Sequence, residues 1–122
     1  MYGLSPDLKI EGMLDHTLTQ ICVGKYDVQF RFSSGTFIAV QGGARILEDG
    51  RTIATWNEEG AWSDLSFQKL LNHDVIGYSV TDSKTLRIDF GDNFVLELLD
   101  DSDDYESMQI YPNGETQTTI VV

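Results

Sequence analysis

The side chains able to act as acids, bases, nucleophiles or ligands are few: His16, His73, Cys22 and the run Asp100-Asp101-Ser102-Asp103-Asp104-Tyr105-Glu106. Two histidines brought together could bind a metal or work as acid and base, because imidazole changes charge nearest neutral pH. Each stands in a turn just before a strand-like stretch, however, where His, like Asn and Asp, tolerates unusual backbone angles. That turn role is the expected one. Neither histidine has H-E-x-x-H or H-x-E spacing, and a single cysteine cannot form a thiolate cluster for zinc. A reactive thiol needs an electropositive, partly exposed setting, whereas Cys22 lies between Ile21 and Val23 and reads as a small buried core residue.

The acidic run supplies enough oxygens for Ca²⁺, yet lacks the sixth-position Gly and twelfth-position Glu of an EF-hand loop. Paired carboxylates for glycoside hydrolysis depend on a three-dimensional separation that adjacent loop residues do not guarantee. Two readings remain open: a solvated loop between strands, and a docking surface whose fixed carboxylates steer a basic partner. For the second, Asp92, Asp100, Asp101, Asp103, Asp104 and Glu106 are the candidate partner-binding residues. Ser33-Ser34-Gly35 is not a nucleophile elbow, and Gly42, Gly43, Gly50 and Gly60 build no phosphate loop with a following Lys. No catalytic, metal or cofactor-binding residue is assigned, no cofactor is expected, and a binder is expected rather than an enzyme.

Charge sharpens this reading. The chain has 20 acidic and 8 basic residues, a formal charge of −12, which repels nucleic acid and anionic membrane and attracts basic proteins. Residues 1 to 61 carry eight acids and five bases, residues 62 to 122 twelve and three, so the halves differ at −3 and −9. Between Asp89 and Glu106 there are eight carboxylates and no Lys or Arg. No apolar run approaches the roughly 18 residues of a membrane span, and no basic start precedes an apolar stretch. One cysteine excludes an internal disulfide. The expectation is a cytoplasmic protein.

At 122 residues a single domain over 1–122 is expected. Ser5-Pro6-Asp7 reads as the start of a helix of at most two turns stopping at Gly12. From Leu18 the pattern becomes alternation: Ile21 and Val23, then Val28, Phe30 and Phe32, then Phe37 or Ile38 and Val40. Ala44 to Leu47 and Arg51 to Trp56 flank Glu48-Asp49-Gly50, a hairpin connection. Trp62 to Leu71 lacks alternation, has a cap-like Ser63 or Asp64, and reads as a short helix. Strands follow at Val75 to Val80, Lys84 to Phe90, Phe94 to Leu99, Glu106 to Tyr111 and, after Pro112-Asn113-Gly114, at Gln117 to Val122. Trp56, Trp62, Phe67, Tyr78, Tyr105 and Tyr111 read as core or edge packing, and an exposed Trp would be an interface anchor.

Val28 to Val40 aligns with Leu86 to Leu98 at an offset of 58, and Leu14 to Leu18 with Leu71 to Val75 at 57. An internal repeat relating 14–42 to 71–100 and a chance match within a β meander both account for this. The fold class expected is mainly β with one or two short helices. It would place two similar antiparallel units in one sheet, as a sandwich or partly open barrel.

The stretch Leu18 to Phe32, written QICVG.Y.VQF.F from Gln20, and DDS..YES..I from Asp100 to Ile110 resemble a family of small bacterial proteins of unknown function. The resemblance covers most of residues 14 to 122 and carries no catalytic residues. That family looks like the acidic proteins made beside secreted or contact-delivered toxins, including immunity proteins. By analogy, the expected partner is a basic toxin domain, plausibly a nuclease; a small-molecule or regulatory binding module is the alternative.

Overall fold

The computed structural model describes residues 4, 6–10, 12–57, 61–100, 108–112 and 120–121. Alternating apolar residues make strands here because a pleated strand sends successive side chains to opposite faces. The strands are β1 (Leu18–Val23), β2 (Val28–Phe32), β3 (Phe37–Val40), β4 (Gly43–Glu48), β5 (Arg51–Asn57), β6 (Ala61–Trp62), β7 (Val75–Asp82), β8 (Thr85–Phe90), β9 (Phe94–Leu99), β10 (Met108–Tyr111) and β11 (Ile120–Val121). They form two antiparallel sheets, in the order β1-β2-β3-β10-β11 and β6-β5-β4-β9-β8-β7. The expectation of one sheet is corrected: Val28 to Val40 and Leu86 to Leu98 lie in different sheets. Each stretch is two-thirds of a meander with one apolar side, and both apolar sides contribute to the same core.

Val28, Phe30 and Phe32 on β2, Ile38 and Val40 on β3, and Met108 and Ile110 on β10 turn inward from the first sheet; Ile46, Leu86, Ile88, Phe90, Leu96 and Leu98 do so from the second. Phe30 meets Trp62 edge to face at 6.3 Å, joining the sheets through their aromatics. Burying each such side chain contributes about 1.5–3 kcal/mol, most of which is offset by the conformational entropy lost on folding.

No helix forms from Pro6 to Gly12 among the described residues; Pro6 and Asp7 make a turn. Leu4, Ile10 and Met13 are instead buried in the core, and so short a helix has little stability of its own. Hydrogen bonds to β7 and the turn after it hold this segment. Leu4 donates its N–H to Ser83 O at 2.8 Å, and the Tyr78 hydroxyl receives the Ile10 N–H at 3.0 Å while donating to Ile10 O at 3.3 Å.

The helix expected from Trp62 to Leu71 is also shorter and tighter. Trp62 ends β6, paired with Trp56, and only Leu65–Leu70 coil, as a 3₁₀ helix. Asp64 caps it by accepting the Ser66 N–H at 2.7 Å. Phe67 on this helix stacks on Trp62, with centroids 4.8 Å apart.

The segments around Leu14–Leu18 and Leu71–Val75 pair with each other. Thr17 and Asp74 form an isolated antiparallel bridge, and they stand 57 residues apart. Asp15 N–H donates to Val75 O at 2.9 Å, and its counterpart Asn72 N–H to Leu18 O at 2.8 Å. Leu18 N–H donates to His73 O at 3.0 Å, and Val75 N–H to His16 O at 2.9 Å. Ser33 N–H reaches Thr17 O at 2.8 Å as Gly91 N–H reaches Asp74 O at 3.3 Å. Asp15 and Asn72 share the left-handed backbone region, with φ of 66° and 69°.

Candidate functional site

The matched turns decide what the histidines do. His16 Nδ1 lies 3.1 Å from Ser33 Oγ, which also receives the Thr17 N–H at 3.1 Å, so the ring braces the β2–β3 turn against the start of β1. His73 Nδ1 faces the carbonyls of Leu70 and Leu71 at 3.3 and 3.2 Å, and its Nε2 lies 3.3 Å from Asp92 Oδ2. Its ring rests on Phe94 at 4.8 Å. The two rings thus serve separate turns, each with its own partners. Among the described residues no group of three or more His, Cys, Asp or Glu side chains is arranged to hold a metal ion.

Cys22 departs from expectation. The register slips by one residue between Leu18 and Gln20, so Ile21 comes opposite Phe30 and Cys22 opposite Gln29. The bulge moves Cys22 to the outer side of the first sheet, where it is a half-buried free thiol rather than a core residue.

The candidate acidic residues fall in three places. Asp92 sits in the β8–β9 turn with a positive φ of 61° and a side chain 82% exposed. Asp100 is buried, at 3% exposure. It extends the inward parity of Phe94, Leu96 and Leu98, its N–H donates to Lys84 O at 2.7 Å, and its Oδ1 has no hydrogen-bond partner among the described residues. Its carboxylate faces the interior, so it does not present charge to a docking partner. Asp101, Asp103, Asp104 and Glu106 lie outside the described residues.

The concave feature that sequence reading missed is a groove of about 680 Å³ along the outer side of the second sheet, with Leu47, Val95 and Ile76 as apolar lining and Asp49, Asp89 and Arg87 as its charges. Gly77 opens it further, since a side chain there would project into empty space. Arg87 donates through Nε to Asp89 Oδ1 at 3.0 Å, and Arg45 pairs with Glu97 at 2.8 Å nearby. Asp49 N–H donates to Asn93 O at 3.1 Å, which brings the β4–β5 turn beside the turn holding Asp92. The available signal was parity: Leu47, Val95 and Asp89 are cross-strand neighbours with outward phase on β4, β9 and β8. Carboxylates, one guanidinium and aliphatic carbons suit recognition by charge and contact.

The outer side of the first sheet differs in character. It presents Gln20 and Cys22 from β1, Gln29 and Arg31 from β2, Phe37 and Ala39 from β3, and Gln109 and Tyr111 from β10. Phe37 and Tyr111, paired across strands, stack with centroids 4.3 Å apart, and the Arg31 guanidinium lies 4.4 Å over Phe37. Asp27, just before β2, is the one carboxylate beside this side among the described residues.

Comparison with known proteins returned no matching family model, no matching curated protein and no matching solved structure. Among the described residues no helix is long and apolar enough to cross a membrane.

Proposed function

We propose that this protein is an immunity-type binder that neutralises a basic toxin domain, such as a nuclease, through the acidic second half of the chain. The observation that carries the reading is the charge distribution, twelve acids against three bases in residues 62 to 122. Such a field raises the encounter rate with a cationic surface, and anchoring then needs buried apolar contact. The exposed Asp92 and the neighbouring groove with Asp49, Asp89 and Ile76 offer both kinds of contact. In this reading the two sheets stack as a sandwich of two similar units related by the paired turns. The protein acts in the cytoplasm and performs no catalysis.

The test is co-expression with the product of the adjacent gene. Rescue of growth and co-purification are expected; a folded protein that neither rescues nor captures that product overturns the reading. Replacing Asp101, Asp103 and Asp104 by Lys is expected to slow association about tenfold at low salt and much less at high salt.

The groove favours a second reading, a small-molecule or regulatory binding module, because its volume of about 680 Å³ lies within the range of small-molecule sites. A thermal-shift screen of metabolites and divalent ions distinguishes the two, since a ligand at about a hundred times its Kd stabilises by about 2.7 kcal/mol.

A further inference from the structure

We infer that the outer side of the first sheet is a self-docking surface, on which a second copy of this chain seats about a two-fold axis passing near Gln29. The argument starts from one strand. From the residue before β2 along its outward side the order is carboxylate, amide, guanidinium: Asp27, Gln29, Arg31. Hydrogen bonds hold that order, Arg31 Nη2 donating to Gln29 Oε1 at 2.6 Å and Gln29 Nε2 to Asp27 Oδ2 at 3.4 Å. Arg31 also lies over Phe37, and Phe37 against Tyr111, so the aromatic anchor is ordered before docking.

A strand read minus, neutral, plus is complementary to itself when reversed. Turning a second copy about an axis at Gln29 brings each Asp27 opposite Arg31 of the other copy and the two amides together. Sheets packed face to face lie about 10 Å apart, a gap that an Arg and an Asp reaching from opposite sides together bridge. Rim charges of this kind set register and orientation, while Phe37 and Tyr111 supply the apolar anchor. A strongly basic partner finds a single described carboxylate here, and a strongly acidic one a single guanidinium; the inverted copy matches both. In a chain of net charge −12, this is also a side on which two copies meet without opposing rows of carboxylates among the described residues.

Size sets the strength. The five strands hold 6, 5, 4, 4 and 2 residues; at about 4.8 Å between strands and about 3.3 Å per residue they give a footprint of about 330 Å². The accessible area removed from both copies is then on the order of 700–900 Å², in the range of weak, transient interfaces. The dimer is expected to be micromolar or weaker, and it leaves free the groove with Asp49 and Asp89 on the second sheet.

Sedimentation equilibrium of the full chain from about 1 to about 500 μM, the range in which such an affinity reads, in about 0.15 M salt to screen the net charge, tests this. A monomer–dimer equilibrium is expected for the natural protein. Asp27→Arg and Arg31→Asp each set like charges against one another at both ends, and each is expected to weaken dimerisation at least tenfold. The double swap Asp27→Arg with Arg31→Asp restores the pattern in reverse and is expected to return the Kd to within about threefold. A protein that stays monomeric to about 500 μM, a dimer indifferent to the single reversals, or a folded double swap that fails to associate overturns the inference.

Discussion

Thr17 and Asp74 face each other across an isolated antiparallel bridge, and the Thr17 hydroxyl donates to the Asp74 carboxylate. These are the matched residues of the two turns, so the bond sits at the centre of the reciprocal backbone pairs that tie β1 to β7. Thr17→Val keeps the shape and removes the donor. A loss of about 1 kcal/mol is expected in urea denaturation. Combined with Asp74→Asn, a coupling energy of about 0.5 kcal/mol or more locates the effect in this bond.

Asp15 and Asn72 hold φ near +66° and +69°, where an L side chain crowds the following carbonyl and glycine does not. Both turns need that conformation so that Asp15 and Asn72 direct their N–H groups at Val75 and Leu18. Asn72→Gly is expected to leave stability unchanged or raise it slightly, while Asn72→Ala costs about 1 kcal/mol and Asn72→Val more. The same ranking is expected at Asp15, measured by thermal unfolding.

Most strands were legible because one side of each sheet is buried: Val28, Phe30 and Phe32, or Leu86, Ile88 and Phe90, alternate without interruption. Parity also carried information that composition obscured. Asp100 opens an acidic run and reads as solvated, yet it continues the inward phase of Phe94, Leu96 and Leu98. Other features depend on contacts distant in sequence. The slip after Leu18 that turns Cys22 outward appears only against β2, and burial of Leu4 and Ile10 depends on Ser83 and Tyr78. Partition into two sheets was not legible for the same reason, since a meander has the same alternation in either arrangement. The groove on the second sheet required knowing that β4 lies between β5 and β9.

Leu96 and Leu65 test the assignment of the interior. Leu96 is fully buried beside Ile46 and Ile88, its cross-strand neighbours, whereas Leu65 at the start of the 3₁₀ helix is 76% exposed. Leu96→Ala is expected to cost about 2–5 kcal/mol, combining lost transfer energy and a cavity. Leu65→Ala is expected to stay within about 0.5 kcal/mol of the natural protein. Equal effects at the two positions would contradict the placement of the core.

Asp64 links the 3₁₀ helix to acid through its cap. The Ser66 hydroxyl and then the Ser66 N–H donate to its carboxylate, Lys69 adds attraction, and its pKa is held below the ordinary 3.8 despite a small opposing desolvation. A lowered folded-state value means that the unfolded chain binds this proton more readily. The cap's contribution is therefore complete above about pH 4 and is lost as pH falls through the lower folded value. Because the capped 3₁₀ helix carries Phe67 onto Trp62, loosening it changes the surroundings of that indole. Asp64→Ala is expected to shift Trp emission at neutral pH, the natural protein is expected to make that shift only in acid, and the variant is expected to lose part of the pH dependence of stability below pH 4. Asp64→Ser, which keeps an acceptor without the charge, is expected to preserve the emission while abolishing that titration. Side-chain NMR of Asp64 checks the direction of the shift, and a midpoint at or above the ordinary aspartate value would remove the physical basis of the prediction.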